Sequence, residues 1–461
     1  MKSLLLALAS IAALAAPPRT FRVDYYHTGN AKTELFSLDR VVVEPLPWPG
    51  NPDRPVDDTN LGKYRFEVYD PASRAVLYSR GFCSIYGEWE LTEEATKIHR
   101  TFSESLRFPD PGRPARVRLQ KRDPKNAWVE IWDFAFDPKD KFVDTAIPPQ
   151  PGKLLALEQN GEPSAKVDFL ILGDGYTAAE QGKFEKDARR MMELMFAQRP
   201  FKERRKDFNI WGLCPASAES GISRPSTGLH RRTPLGCTYD AFDSERYVLT
   251  FENRAFRDIA GFAPYEFVQV LVNNETYGGG GIFGLYGTVS ADNKTAPYIF
   301  IHEFGHHFAG LADEYYTSDV AYAPSTTRVE PWEPNATANP TEPKWKALLT
   351  PGIPLPTPWK KEVFEAHSHA IQKERRAIRA ANKPEREMDA LFERQKQTET
   401  PLLGQDTWSG RVGSFEGANY EAKGYYRSQT DCIMFTRNDV PFCAACQAGI
   451  RQVIDLYSRK P

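Results

Sequence analysis

Beyond its first twenty residues, the sequence lacks any hydrophobic run near the roughly 20 residues that a membrane-spanning helix needs. It also lacks an excess of either charge, with 59 Lys and Arg residues against 61 Asp and Glu residues. A chain without a broad basic field has little to attract nucleic acid or anionic lipid, so we expect neither as a partner. With 461 residues, 41% of them hydrophobic, it is long enough for two or three domains with substantial cores.

The longest apolar run stands at the start of the chain, in MKSLLLALASIAALAAPPRT. One lysine precedes about a dozen apolar residues and a small-residue site at Ala13-Leu14-Ala15, which is the pattern of a secretory signal. A membrane anchor is the alternative, but the run is too short to span a bilayer. We therefore predict a signal peptide over residues 1–15 and a mature protein that is secreted or periplasmic.

Cysteines are few, and export would expose the six present to oxidation. Cys214 and Cys237 flank a stretch rich in Ser, Pro and Gly, and we predict a disulfide between them. A second disulfide is predicted from Cys432 to either Cys443 or Cys446. Buried free thiols are the alternative in both cases, because spacing alone cannot fix pairing.

The first part of the chain has the pattern of a β domain. Residues 19–137 contain repeated strand-like segments between Pro, Gly, Asp and Asn turns, among them TFRVDYYHTG, KYRFEVYD and AWVEIWDFAF. This spacing predicts an all-β accessory domain built as an antiparallel sandwich. Residues 138–163 follow with several prolines and few periodic apolar residues, and are predicted to be a linker.

Residues 164–461 alternate strand and helix patterns and predict a layered α/β (α+β) domain. The apolar run VDFLILGDGY is typical of a buried strand, and the helical pattern after it has Thr177 as a candidate N-cap. Later segments continue the alternation with DFNIWGLCP, EFVQVLVNN and the helix YIFIHEFGHHFAGL.

Residues 359–399 are dense in Lys, Arg, Glu and Ala and are interrupted by Pro384, which predicts a charged insertion of two helices in a solvated hairpin. The insertion contains His367 and His369. Side chains two positions apart on a helix point in different directions, so we interpret both as surface histidines and not as metal ligands.

The stretch HEFGHHFAGLADEYY, residues 302–316, carries the main chemical signal. His302 and His306 lie one turn apart on a helix, so both imidazoles can reach one cation. Neutral imidazole suits Zn²⁺, and Glu303 between them can contact a water that the ion has made acidic. This HExxH arrangement predicts one Zn²⁺ per chain, with Glu303 as the catalytic base.

A catalytic zinc needs a third protein ligand. The metzincin spacing HExxHxxGxxH fails here, because Ala312 stands where the third histidine would be. One position further, Gly310 can form the left-handed turn that ends the helix, and Asp313 follows by the same three-residue step. We predict Asp313 as the third ligand, with Glu314, His307 or a distant residue as alternatives. His307 is disfavoured because it lies about 100° round the helix from its neighbour His306.

Three further features near this motif are open to two interpretations. Met434 in DCIMFT would form a metzincin-like methionine turn beneath the imidazoles, or would only fill the core. Tyr420, Tyr425 and Tyr426 could donate to an oxyanion or pack around that turn. The stretch GGGGIFGLYGTVSA could bring a strand close to the active-site helix to pair with a peptide, or could be a flexible connector.

Several ordered motifs together resemble a known family: HEFGHHFAGLADEYY, VGSFEGANY, AKGYYRS, DCIMF and FCAACQ. They are similar to the secreted IgA metallopeptidases, metallopeptidase family sixty-four, over roughly residues 20–461. The resemblance implies an N-terminal β domain and a metzincin-like zinc peptidase domain, with His302 and His306 as ligands and Glu303 as general base. The insertion at 359–399 departs from it, and the family name does not transfer a substrate.

The function expected from the sequence is therefore a secreted zinc endopeptidase that cleaves protein or peptide substrates. The alternative is a non-catalytic, zinc-stabilised module that binds a glycan or protein surface. Glu303 favours the enzyme, because a structural zinc site closes with four protein ligands and needs no base.

Overall fold

In the computed structural model, which describes residues 17–318, 320 and 328–459, the N-terminal part consists of two facing sheets. The predicted signal peptide lies outside the described residues. The strands of this part are β1 (Arg19–Gly29), β2 (Glu34–Pro47), β3 (Tyr64–Tyr69), β4 (Val76–Phe82), β5 (Arg100–Pro109), β6 (Ala115–Arg122), β7 (Trp128–Phe136) and β8 (Val143–Asp144). One sheet has the order β5-β1-β2-β8, and the other has the order β4-β3-β6-β7.

The core of this part lies between the two sheets. Alternating residues of β1, among them Phe21, Val23 and Tyr25, point inward and are fully buried with Phe108 and Val117 of the neighbouring strands. This alternation explains why the segment forms a strand with one apolar face toward the other sheet. A short helix, α1 (Ile85–Trp89), also belongs to this part, which the sequence predicted to be all-β.

The second part is built on a six-stranded sheet. Its strands are β9 (Leu155–Glu158), β10 (Val167–Asp174), β11 (Phe208–Leu213), β12 (Phe267–Val272), β13 (Gly279–Ile282) and β14 (Tyr286–Ser290), in the order β13-β14-β12-β10-β11-β9. The four central strands are parallel, and the edge strands β13 and β9 are antiparallel to their neighbours. Every residue of β10 is buried, as expected for a central strand covered on both faces.

The longer helices belong to this second part. They are α2 (Gln181–Ala197), α3 (Asn253–Ala260), α4 (Ala296–Ala309), α5 (Lys361–Ala380), α6 (Glu385–Gly404) and α7 (Ala444–Tyr457), and a hairpin of β15 (Phe415–Ala418) and β16 (Glu421–Arg427) precedes α7. The predicted N-cap is confirmed, because Thr177 and Glu180 form a capping box just before α2. Within the described residues, no helix is both long and apolar enough to cross a bilayer.

Charged contacts join the two parts. Arg22 is buried between Asp24 of its own strand and Asp258 of α3, at 2.9 Å and 2.5 Å. Arg107 donates to Glu44 and to the backbone oxygen of Tyr265. The segment predicted as a linker contains β8, which pairs with β2, and β9, which pairs with β11.

The insertion at 359–399 does form two helices, α5 and α6, which pack against each other as a hairpin. The expectation that this hairpin is solvated is wrong, because one face is buried. Phe364 contacts Phe435 of the domain, and Glu385 accepts the backbone N–H of Tyr277. Apolar residues at helical spacing, hidden in a charge-rich sequence, produce this buried face. Of its histidines, His369 is exposed and His367 is half-buried.

The predicted disulfides are wrong. All six cysteines are buried and free. The thiol of Cys214 lies 3.7 Å from the oxygen of Pro215 and 3.6 Å from Gln181, and the backbone N–H of Cys237 donates to Asp174. Both cysteines therefore make ordinary polar contacts and are not joined by a covalent link.

Two neighbouring carboxyls, those of the buried Asp168 in β10 and the partly buried Glu266 just before β12, predict a pH-dependent stability. The backbone N–H of Asp168 donates to Glu266 at 2.6 Å, and its Oδ1 accepts from Trp211 and Asn209. Burial raises the pKa of Asp168 to about 7 and that of Glu266 well above its usual value. A carboxyl whose pKa rises on folding contributes stability at low pH, and loses it as pH rises through the folded pKa.

The unfolding free energy of the unaltered protein should therefore decrease as pH rises from about 4 to about 7. We expect Asp168→Asn to make this decrease smaller, by up to roughly 4 kcal/mol. Urea unfolding at the two ends of this window measures the effect. The exposed Asp144 offers a control, since Asp144→Asn should leave the slope unchanged. An unchanged slope in Asp168→Asn would show that the carboxyl pair does not set it.

Candidate metal centre

Helix α4 carries the HExxH motif and lies against the edge of the six-stranded sheet, on β13 and β14. The glycine run allows this close approach. A Cβ on Gly281 would lie 2.3 Å from the backbone oxygen of Glu303, and one on Gly279 would lie 3.2 Å from its Cγ. Gly279 also bonds to Arg246 and Val248 on the outer side of β13, so that side is already partly paired. Peptide pairing along β13 stays a prediction.

Helix α4 ends where the sequence suggested. Gly310 has φ 57° and ψ 38°, the left-handed conformation, and its N–H donates to the oxygen of His306 at 3.0 Å. The chain then turns back so that Asp313 faces the helix that it has just left. This turn is the reason why a residue seven positions after His306 can reach its imidazole.

The side chains of His302, His306 and Asp313 meet at one point. The two Nε2 atoms are 3.2 Å apart, and Oδ1 of Asp313 lies 3.0 Å from Nε2 of His302 and 3.2 Å from that of His306. All three side chains are largely buried, with His306 the most exposed at 15%. The structure thus brings together the three residues that the sequence predicted as ligands.

The spacing of these three atoms fits a zinc ion. Ligands at about 2.0–2.1 Å from a tetrahedral zinc are about 3.3 Å from one another. The observed triangle has edges of 3.0–3.2 Å and contributes two imidazole nitrogens and one carboxylate oxygen, a donor set that zinc accepts. The assignment of these residues as metal ligands stays a prediction.

Each of the three side chains has an outer hydrogen bond that orients it. Nδ1 of His302 donates to the backbone oxygen of Ile433 at 2.9 Å, and Nδ1 of His306 donates to that of Leu311 at 2.6 Å. These bonds leave the Nε2 lone pairs directed at the common point. The hydroxyl of Tyr420 donates to the second oxygen of Asp313 at 2.5 Å.

The electrostatics of the centre favour a cation. Burial alone would raise the pKa of Asp313, but His306 and His302 hold it well below its usual value. Burial would lower the pKa of His306, but the Asp313 carboxylate raises it to about 9. Without a metal, a proton on the imidazole supplies the positive charge that the carboxylate requires. A metal that binds there would displace this proton.

Glu303 lies in α4, between the two histidines in sequence, and is partly exposed. Burial raises the pKa of its carboxyl, while His302 and His306 oppose the shift. A carboxylate whose pKa is raised is a better proton acceptor near neutral pH. The raised pKa of Glu303 therefore suits general-base chemistry, and its catalytic role stays a prediction.

His307 and Glu314, the alternatives for the third ligand, make contacts elsewhere. His307 is fully buried; its Nε2 accepts the backbone N–H of Val268 at 3.0 Å and its Nδ1 donates to the oxygen of Ile282 at 3.0 Å. Burial lowers the pKa of His307 to about 3, so the ring is neutral and joins α4 to the sheet. Glu314 points away from the histidines and contacts the thiols of Cys443 and Cys446.

Met434 is fully buried beneath α4, with its sulfur 3.1 Å from where a Cβ on Gly305 would stand. Its interpretation as a metzincin-like methionine turn stays a prediction.

The three tyrosines considered as oxyanion donors differ in their contacts. The hydroxyl of Tyr425 bonds to Val329, Tyr426 is partly exposed, and the hydroxyl of Tyr420 reaches Asp313.

Sequence reasoning missed three neighbours of the centre. The hydroxyl of Tyr298 lies 3.2 Å from Nδ1 of His302, and the ring of Tyr315 stacks near His302 with the centroids 6.2 Å apart. Arg246 reaches the Tyr315 hydroxyl at 3.4 Å. Tyr298 could have been found, because it lies four residues before His302 on the same helix face.

The turn at Gly310 gives a prediction for stability. Gly310→Val would place a β-branched residue at positive φ, with its Cβ 2.6 Å from the ring of Trp332. We expect a loss of unfolding free energy of about 2–5 kcal/mol, together with weaker metal binding. Gly182→Val in α2 is the matched control, since a Cβ at Gly182 meets nothing within 4 Å. Denaturant unfolding compares the two, and equal stability would contradict the strained turn.

Comparison with known proteins follows the same two-part division. The family described as IgA Peptidase M64 matches residues 155–454, and the description Peptidase M64 N-terminus matches residues 15–133. No curated protein matches the chain with significance. The two matches confirm the predicted resemblance and the two-domain arrangement. Because the first alone spans more than half of the chain, the protein belongs to the IgA peptidase M64 family and is a metallopeptidase.

Proposed function

We propose that the protein is an exported, zinc-dependent endopeptidase whose centre is formed by His302, His306 and Asp313, with Glu303 as general base. The observation that carries the proposal is the triangle of three ligand atoms with edges of 3.0–3.2 Å beside Glu303. Family membership supports hydrolysis of peptide bonds and a protein substrate. Zinc is the cation that suits two imidazoles and a carboxylate in a tetrahedral site.

In this proposal the ion, when bound, would polarise the scissile carbonyl and acidify a water. Glu303 accepts a proton from that water and later delivers it to the leaving amine nitrogen. The backbone oxygens of Ile433 and Leu311 hold the imidazoles in one orientation and one tautomer. The Tyr420 hydroxyl holds the Asp313 carboxylate in place, so only one of its oxygens is directed at the histidines.

The alternative of a structural zinc in a binding module is less well supported. A structural site closes with four protein ligands, whereas among the described residues the group at this point has three members, His302, His306 and Asp313. Glu303 and His306 are also partly exposed, whereas His302 and Asp313 are buried.

A digest of a peptide library by the purified full-length protein tests the proposal, with cleavage sites mapped by mass spectrometry. We expect cleavage that a chelator stops and that added zinc restores. Cleavage that persists in the chelator would exclude a metal-dependent reaction. N-terminal sequencing of the exported protein tests the predicted signal peptide.

A further inference from the structure

A second cluster of metal-ligating side chains lies behind the catalytic centre. It consists of Glu314, Cys432, Cys443 and Cys446, whose ligand atoms all lie within 4.8 Å of one another. The thiols of Cys432 and Cys446 are 3.8 Å apart, and those of Cys443 and Cys446 are 3.3 Å apart. Oε1 of Glu314 lies 3.3 Å from Cys443 and 3.5 Å from Cys446.

These distances fit a shared cation better than a covalent bond. Sulfur atoms bound to a tetrahedral zinc at about 2.3 Å are about 3.8 Å apart, whereas a disulfide joins its sulfurs at about 2.05 Å. Three thiols and one carboxylate also make up the four ligands of a closed structural site. The site at His302, His306 and Asp313 has three protein ligands and thus differs in kind.

Burial supplies an independent reason to expect a cation here. Glu314 is fully buried, and its Oε2 has no hydrogen-bond partner among the described residues, although Oε1 accepts from Asn335. A buried carboxylate oxygen without a partner is costly unless a positive charge lies near it. The guanidinium of Arg427 donates to the backbone oxygens of Gly417 and Thr430, at 2.6 Å and 3.2 Å.

The sulfur atoms of this cluster accept hydrogen bonds from backbone N–H groups, as metal-bound thiolates do. Cys432 accepts from the N–H groups of Met434 and Cys443, at 3.4 Å and 3.2 Å. Cys443 caps the N-terminus of α7 and accepts the N–H of Cys446 at 3.5 Å. Such donors, and the positive end of a helix, stabilise the ionised thiolate that binds metal.

We infer that Glu314, Cys432, Cys443 and Cys446 form a second, structural metal site for a thiolate-preferring divalent cation, with zinc as the best fit. The sequence predicted one zinc per chain, and this site adds another. Its ligands are covalent neighbours of the first centre: Glu314 follows Asp313, and Cys432 precedes Ile433, whose oxygen accepts from His302. The backbone N–H of Glu314 also donates to Met434 at 2.8 Å.

The second site therefore joins the segment after α4, the turn at Met434 and the start of α7. A cation in it would fix the two chain segments that orient the Asp313 carboxylate and the His302 imidazole. This is a positioning role, because none of the four ligands reaches the common point of the first centre.

X-ray absorption at the zinc edge of the full-length protein, purified under reducing conditions, tests the site. We expect about two zinc ions per chain and sulfur scattering at about 2.3 Å, which the first centre cannot produce because it has no sulfur ligand. Cobalt substitution should give a thiolate-to-cobalt charge-transfer band. The inference would be overturned if both the sulfur scattering and the charge-transfer band were absent. A disulfide among these cysteines in the unreduced protein would also overturn it.

Substitutions test which residues produce the sulfur scattering. Cys443→Ser and Cys446→Ser should each remove about one zinc and the sulfur scattering, whereas His302→Ala should remove the other zinc and leave the sulfur signal intact. Cys214→Ala, a buried cysteine outside the cluster, is the matched control. A sulfur signal that survives both serine variants would also overturn the assignment. The spectra of the unaltered protein decide the question if a serine variant does not fold.

Discussion

Glu303→Gln is expected to lower peptide hydrolysis by about 10²–10⁴-fold while bound zinc stays at the level of the unaltered protein. The amide has the shape of the carboxylate but cannot accept the proton of the attacking water. The ligand atoms of His302, His306 and Asp313 do not depend on Glu303, so metal binding should persist. Hydrolysis of one peptide from the library digest, with zinc measured on the same sample, gives both quantities.

The exposed Glu275 supplies the control for this substitution, because Glu275→Gln changes charge by the same amount away from the centre. It should leave turnover unchanged. Turnover near the original rate in Glu303→Gln would mean that another group accepts the proton. Loss of zinc together with turnover would instead mean that Glu303 is needed to form the metal site.

The local part of the centre could be predicted from the sequence because helix geometry fixes it. Residues four apart on α4 must face the same way, which places His302 beside His306. Only glycine adopts the left-handed turn at Gly310 without strain, and that turn brings Asp313 back. Both steps span fewer than a dozen residues, over which backbone geometry leaves few choices.

The long-range part could not be predicted in this way. Tyr420 reaches Asp313 across 107 positions, and Ile433 reaches His302 across 131. Their meeting depends on how the β15–β16 hairpin and the turn after it pack beneath α4, and no local pattern encodes this. The contacts of the free thiols could not be predicted either, since Cys443 and Cys446 meet Glu314 across 129 and 132 positions.

The charged insertion shows how composition can mislead. Its density of Lys, Arg and Glu indicated a solvated hairpin, yet Phe364, Met388 and Leu391 are buried. Apolar residues spaced three or four apart suffice to form one buried face on a helix that is otherwise charged. The sequence thus predicted the helices correctly and their surroundings wrongly.

The centre gives a second large expected effect. Asp313→Ala should weaken binding of the catalytic zinc by more than the roughly 10–100-fold that changes in outer hydrogen bonds cause, whereas Tyr420→Phe should fall within that range. Asp313 contributes one of the three converging atoms, and Tyr420 only holds its second oxygen at 2.5 Å. The measurement is the zinc concentration at which metal-depleted enzyme regains half of its activity. It reports on this centre specifically, because only zinc bound at the catalytic centre supports hydrolysis.

Tyr425→Phe is the matched control, since the hydroxyl of Tyr425 bonds to the backbone of Val329 and not to Asp313. Its reactivation midpoint should equal that of the unaltered protein. The zinc concentration needed for half-maximal reactivation should rise from Tyr425→Phe to Tyr420→Phe and should be highest for Asp313→Ala. If Asp313→Ala instead recovers full activity at the original zinc concentration, the third ligand lies elsewhere. The turn at Gly310 would then serve packing alone, and the observed triangle would reflect an ion pair between Asp313 and protonated His306.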